Sequence, residues 1–298
     1  MLRHPLDPSS SGGRSALVIA HPGHELAVHG WMEIARPHVF VLTDGSGAGS
    51  VPRLGSTSKV LQAAGATPGS VFGRMPEQAV YRALIGKDTG IFTALAEELA
   101  EALIKGGFDR VYGDMEEGFN PVHDTWRMVL DAAVAIVKRK TGHQLENYDF
   151  SLFRRQDTFH SAGQQGARVE LESEAFMRKL KVARAYPELA PEVLAATEGI
   201  VDNPILNDPK IRDQVKKILG SLGLDAFRVE YFRRLPSTKL LQQALDSDRP
   251  FYEAYGELLV AAGQYRGVLR RDLHLAPVAE ALRCVAEAKG PASTAEES

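Results

Sequence analysis

The first half of the chain alternates short apolar runs with segments whose apolar residues recur at helical spacing. Each apolar run is bounded by turn residues, which predicts a buried β-strand; the runs are 15–20, 38–45, 70–76 and 108–114. The amphipathic segments predict helices at 25–36, 56–66, 89–107 and 123–140. This β-α-β-α order predicts right-handed crossovers, and therefore a mostly parallel sheet with helices on both faces.

The second half is more helical and is expected to elaborate the same fold. A strand is predicted at 147–155, and an alternating run predicts a late strand at the sheet edge over 226–237. We expect a Rossmann-like α/β fold organised as one domain. Its predicted parts are a flexible leader at 1–14, the domain at 15–289 with a helical elaboration around 170–225, and a flexible tail at 290–298.

The amino-acid composition argues against several classes of protein. The chain has 298 residues, is 44% hydrophobic and carries a formal charge of -3, which argues against binding nucleic acid or a membrane surface by bulk electrostatics. The single cysteine excludes an internal disulfide and a Cys-rich zinc site. Since no run approaches the ~18 apolar residues of a membrane span, a soluble cytoplasmic protein is expected, with its oligomeric state open.

Histidines cluster where the first predicted strand ends. His21, His24 and His29 fall within nine residues of a chain with only nine histidines. His29 is predicted to lie on a helix face as a structural residue. His123 begins the helix after the fourth strand, and the carboxyl ends of parallel strands meet at one edge of the sheet. Three imidazoles, from positions 21, 24 and 123, with a fourth position for water, would suit a catalytic zinc ion.

Two of these stretches resemble the signatures of a known family. ALVIAHPGHE (16–25) is similar to the AHPDDE motif of the LmbE-like, or PIG-L, N-acetylglucosaminyl deacetylases, and NPVHD (120–124) is similar to their HPDH motif. VPRLGS places Arg53 near the family's arginine, and FRVEYFRRLPS (227–237) is similar to its closing strand. The resemblance spans roughly residues 15–237 and implies a zinc-dependent hydrolase acting on N-acylated amino sugars.

The resemblance also implies three metal ligands. At other motif positions this sequence differs from the family. Its three metal ligands fall on His21, His24 and His123, where His24 replaces an aspartate but keeps a donor atom. The family's general base falls on Gly23, and the first histidine of the second motif on Asn120. Val122 and Ser56 replace two further motif residues. A deacetylase without its base is expected to lose about 10²–10⁴ in rate, unless another carboxylate takes its place.

The remaining site predictions concern the loops at the strand ends. The carboxylates considered as a replacement base are Glu25, Asp44, Asp114, Glu117 and Asp124. We predict catalytic roles for Asn120, Asp124 and Glu25, with Asn120 donating to an oxyanion and Glu25 also able to anchor its loop. Arg53 and Asp44 are predicted to bind the substrate.

The leading hypothesis is zinc-dependent removal of an acyl group from an N-acylated sugar or specialised metabolite. Two alternatives stay open. The first is a non-catalytic or repurposed relative that binds a glycosylated ligand or a partner, because the base position is Gly23. The second is a metal enzyme with another reaction, since three histidines also suit iron, copper or another divalent ion.

Overall fold

A computed structural model describes residues 13–47, 51–153, 156, 166–190, 193, 223–236 and 249–288. Its strands are β1 (Ser15–Ile19), β2 (His38–Thr43), β3 (Thr67–Met75), β4 (Arg110–Asp114), β5 (Glu146–Phe150), β6 (Gly166–Glu170) and β7 (Val229–Arg234). The α-helices are α1 (His29–Ala35), α2 (Leu54–Ala64), α3 (Glu77–Gly86), α4 (Thr89–Gly106), α5 (Pro121–Thr141), α6 (Ser173–Arg184), α7 (Gly223–Ala226), α8 (Phe251–Ala261) and α9 (Ala276–Glu287). Short 3₁₀ turns cover His24–Val28 and Pro187–Leu189, and a π-helical turn covers Arg271–Leu275.

The seven strands form one mixed sheet in the order β3-β2-β1-β4-β5-β7-β6. The first five strands in this order are parallel, whereas β7 runs antiparallel to both of its neighbours. The strand order reverses direction between β1 and β4. In open α/β sheets the crevice at such a switch point is where ligands bind. A ligand site is therefore expected at the carboxyl ends of β1 and β4.

Helices cover both faces of the sheet and divide the core in two. One cluster packs α4, α5 and α9 against one face, and the other packs α1 and α2 against the opposite face. Trp31 and Trp126, which follow the two histidine motifs, are both fully buried in these clusters. In the part of the chain that the structure describes, no helix is long and apolar enough to cross a membrane. The α/β architecture expected from the sequence is confirmed.

Three predictions about elements need correction. The late strand is not at the sheet edge, because β6 pairs with its outer side and occupies the edge instead. Helix α3 was not anticipated. The predicted helix at 25–36 is a 3₁₀ turn followed by α1. Residues 1–12 and 289–298, which hold most of the proposed leader and tail, lie outside the described residues, as does much of the proposed elaboration.

A buried ion pair ties the first helix to the far side of the sheet. Glu230 on β7 is fully buried, and its carboxylate accepts hydrogen bonds from the backbone N–H groups of Gly30 and Trp31 at 2.9 and 2.6 Å. Lys179 of α6 donates to the same carboxylate at 2.7 Å and to the carbonyl of Ala27 at 2.8 Å. The carboxylate therefore satisfies the first turn of α1, the helix that directly follows His21 and His24.

We expect Glu230→Ala to lower the free energy of unfolding by about 3–5 kcal/mol, because Lys179 and two backbone donors lose their acceptor in the interior. Urea denaturation of purified variants measures the change. The control is Glu170→Ala, which breaks the exposed pair with Arg168 and should cost less than about 1 kcal/mol. Equal losses in the two variants would contradict this assignment.

Candidate functional site

The first histidine loop leaves β1 through a glycine that few other residues could replace. Gly23 has φ of +109°, and a Cβ built there would lie 2.3 Å from Cδ1 of Leu189. After this residue the chain turns into the 3₁₀ segment that carries His24, so His21 and His24 lie on either side of the bend. An aspartate at position 23 would be strained by its backbone and would have to displace Leu189.

The second motif reaches the same crevice from the end of β4. Asn120 is the N-cap of α5 and accepts a hydrogen bond from the backbone N–H of Val122 at 2.8 Å, with Pro121 in the first turn of the helix. This cap fixes the first turn of α5. His123 is in that turn, next to the loop from β1.

The three imidazoles form a compact triangle. The ring centroids of His21 and His24 are 5.2 Å apart, those of His21 and His123 are 4.9 Å apart, and those of His24 and His123 are 4.4 Å apart. Within the described residues, no three or more His, Cys, Asp or Glu side chains form a ready-made metal site. The three rings are therefore close to one another, but they are not already arranged around a common point as metal ligands.

Hydrogen bonds at Nδ1 define which ring nitrogens of His21 and His24 are free to bind. The Thr43 hydroxyl donates to the Ala20 carbonyl, so it must accept from Nδ1–H of His21 at 2.8 Å. His24 Nδ1 lies 2.8 Å from Oδ2 of Asp114, a carboxylate that accepts. Both protons are thus assigned to Nδ1 from the network, which leaves the lone pair on Nε2.

The donor set fits a borderline cation such as Zn²⁺. Nε2 of His21 is buried and has no hydrogen-bond partner among the described residues, which is costly unless a ligand satisfies it. Burial is the largest cause that lowers the pKa of His21 and of His123 well below its usual value, with the neighbouring imidazoles adding to the effect. Both rings are therefore neutral near pH 7, the form in which imidazole binds metals.

Two carboxylates predicted to be catalytic are held by the loops that carry them. Glu25 is fully buried, and its Oε2 accepts from the backbone N–H of Gly23 at 2.7 Å. Asp124 is also fully buried, and its Oδ1 accepts from the backbone N–H groups of Glu117 and Gly118. Burial, and next the charge of Glu116, raises the pKa of Asp124 to about 8. Both side chains fix the shape of a histidine loop.

The other candidate carboxylates also have identifiable partners. Oδ2 of Asp114 accepts from the backbone N–H of Ala20 at 2.7 Å, in addition to holding His24. Glu117 accepts from the hydroxyl of Ser151 and the backbone N–H of Leu152. Asp44 accepts from the backbone N–H of Ser46 at 2.9 Å, within the loop after β2. Of these, Asp114 contacts a histidine of the triangle directly.

Glu77, a residue that sequence reasoning did not single out, lies at the rim of the triangle. It is the first residue of α3, and its Oε2 lies 3.8 Å from Nδ1 of His21 and 3.1 Å from the backbone N of Gly47. Burial is the main cause that raises the pKa of Glu77, while the charge of Arg53 lowers it. The backbone N–H of Arg53 donates to the carbonyl of Asp44 at 2.8 Å, so both residues belong to the segment after β2 that Glu77 contacts at Gly47.

A simple signal could have found Glu77. The segment PEQ (76–78) follows β3 as the histidine motifs follow β1 and β4. Polar side chains just after the carboxyl ends of parallel strands are candidates for one common crevice. Arg53, in contrast, was found from its motif position.

Comparisons with known proteins give distant structural similarity only. No family model and no curated protein matches the chain. Among solved structures, the A40926 pseudoaglycone deacetylase Dbv21 is 16% identical, with a TM-score of 0.47, over 75% of this chain and 97% of that one. The zinc-inhibited form of teicoplanin deacetylase Orf2 is 11% identical, with a TM-score of 0.47, over 74% and 97%. The conserved protein TT1542 from Thermus thermophilus is 18% identical, with a TM-score of 0.41, over 73% and 92%.

Proposed function

We propose that this chain is a zinc-dependent hydrolase of the LmbE-like type, which removes an acyl group from an N-acylated sugar or a related specialised metabolite. The observation that carries the proposal is the triangle of His21, His24 and His123, with centroid separations of 4.4–5.2 Å at the switch point of the sheet. Two motifs about 100 residues apart in sequence supply these rings. The three rings that meet here are the same three that the motifs predict as metal ligands, which supports a shared role.

The three histidines would hold the metal through neutral imidazole. A bound zinc ion would polarise the acyl carbonyl and lower the pKa of a water molecule. Asp114 orients His24 by accepting its Nδ1 proton, the role that carboxylates play behind metal-binding histidines. Thr43 does the same for His21. Iron or another divalent ion stays an alternative, because three imidazoles do not select zinc by themselves.

Glu77 is the carboxylate that we assign to proton transfer. Glu25, Asp114 and Asp124 are fully buried, and each holds a loop or His24 with one oxygen, whereas Glu77 is partly exposed at the rim, where a substrate can reach it. Glu77 lies beside His21, and burial raises its pKa towards the range suited to a general base. In this scheme Glu77 accepts a proton from the attacking water while the water oxygen bonds to the acyl carbon. Glu77 then delivers that proton to the amine nitrogen as the C–N bond breaks.

The rim residues complete the proposed substrate site. The carbonyl oxygen of the Asn120 side chain caps α5, and its amide group bonds the Tyr81 hydroxyl, so the second amide hydrogen is proposed as the donor to the developing oxyanion. Arg53 and Asp44 are proposed to bind hydroxyl groups of the sugar-like part, one as a donor and one as an acceptor. The alternative function is a non-catalytic protein that binds a glycosylated ligand or a partner, and the specific observation in its favour is Gly23.

The first test compares His123→Ala with wild type on a panel of N-acetylated amino sugars in the presence of zinc. Loss of one ligand should lower acetate release by at least about 100-fold, since even changes behind the ligands cost 10–100-fold. His143→Ala is the matched control, because this histidine is exposed and lies outside the triangle. Equal acetate release by wild type and His123→Ala would contradict a hydrolase at this site. Zinc binding without acetate release from any substrate of the panel would favour the alternative, a non-catalytic protein that binds a glycosylated ligand or a partner.

The second test asks whether Glu77 has taken over the missing base. Glu77→Gln should lower kcat by about 10²–10⁴ and leave zinc affinity close to that of wild type, because the residue transfers protons and is not a ligand. Steady-state kinetics and a zinc titration measure the two effects. Glu98→Gln, a change at an exposed carboxylate, is the control. A kcat unchanged by Glu77→Gln would eliminate this assignment.

A further inference from the structure

A column of aromatic rings runs from His123 to α8. The ring of Phe153 is nearly parallel to that of His123, with centroids 5.9 Å apart. Phe119 stacks on Phe153 at 3.6 Å, Phe251 on Phe119 at 4.9 Å, and Tyr255 on Phe251 at 5.6 Å. Interplanar angles along the column range from 5° to 29°. The column is thus continuous with the candidate metal centre.

The four aromatic side chains are not part of the interior. Each is partly exposed, and none belongs to the hydrophobic clusters found among the described residues. Aromatic side chains that remain open to solvent beside a polar site are typical of ligand-binding surfaces. Packing of the hydrophobic core therefore does not explain the column.

Hydrogen bonds hold the contributing segments together before any ligand arrives. The backbone N–H of Tyr252 donates to the carbonyl of Gly118 at 3.3 Å, which joins the start of α8 to the loop that carries Phe119. The carboxylate of Glu117, in the same loop, accepts from Ser151 and from the backbone N–H of Leu152, directly before Phe153. The column is preorganised, so binding against it costs little ordering of the chain.

Stacking determines which surface the column offers. Phe153, Phe119 and Phe251 each have two aromatic neighbours in the column. Centroid separations of 4.9–5.9 Å between near-parallel rings are those of offset stacking, in which ring edges stay uncovered. Aromatic edges carry partial positive charge and attract the negative face of another aromatic ring in a T-shaped contact. A saturated ring of similar size lacks this attraction.

We propose that the column is a subsite for an aryl group of the substrate, next to the amide that is hydrolysed at the histidine triangle. This inference rests on the proposed function for the position of the amide. It adds the substrate class: N-acyl amines that carry an aromatic ring close to the acylated nitrogen. Discrimination should come from the aryl face and not from apolar area alone.

The experiment compares two probes with the same heavy-atom skeleton, N-benzylacetamide, whose ring is aromatic, and N-(cyclohexylmethyl)acetamide, whose ring is saturated. Ligand-observed NMR titrations on metal-free wild-type protein measure both affinities. The benzyl compound should bind about 2- to 10-fold tighter, the range expected for one aromatic pair. A surface that recognises apolar area alone would bind the larger cyclohexyl compound at least as tightly.

Phe153→Leu and Phe119→Leu keep apolar volume but remove the ring edges, so each should bring the affinity ratio towards one. Phe72→Leu, at an aromatic residue of β3 outside the column, is the matched control and should keep the ratio. Circular dichroism verifies that each variant is folded. Equal affinities in wild type, or an unchanged preference in both column variants, would overturn the aryl subsite. Neither result depends on acetate release, so failure of this proposal is distinguishable from failure of the hydrolase.

Discussion

The arrangement of the site depends on one buried carboxylate, that of Asp114 at the end of β4. Its Oδ2 accepts from the backbone N–H of Ala20, the residue that follows β1, and from Nδ1 of His24. One atom therefore joins the two central strands at the switch point and orients an imidazole of the triangle. Without it, the end of β1 would lose a hydrogen bond to β4, and His24 would lose the acceptor that orients its ring.

The glycine in the first histidine loop is understandable in the same physical terms. Gly23 adopts a backbone conformation that disfavours a side chain, and Leu189 occupies the space where a Cβ would project. A side chain at position 23 would therefore need a strained backbone and a shift of Leu189. At the rim of the triangle, α3 begins with Glu77 beside His21. We interpret the site as one in which the carboxylate enters from a different strand end, with the charge of Arg53 limiting the rise of its pKa.

Much of this architecture could be predicted from the sequence because it depends on local periodicity. β1, β2, β4 and α5 are long or apolar enough to identify, and the predicted segments overlap the observed ones. β6 was missed because its five residues pair only with distant β7, and the ten-residue helix α3 was also missed. The histidine triangle was expected from motif spacing. The roles of Glu77, Thr43 and Asp114 depend on which strands are neighbours, which composition and periodicity do not encode.

We propose that the imidazoles of His21, His24 and His123 share a single divalent cation. Anomalous X-ray diffraction at the zinc absorption edge, on crystals of zinc-loaded protein, would locate that ion. We expect one strong anomalous peak within the triangle, with three nitrogen ligands at about 2.0–2.1 Å. A zinc ion bound elsewhere, or rings that turn apart and leave the triangle empty, would contradict it.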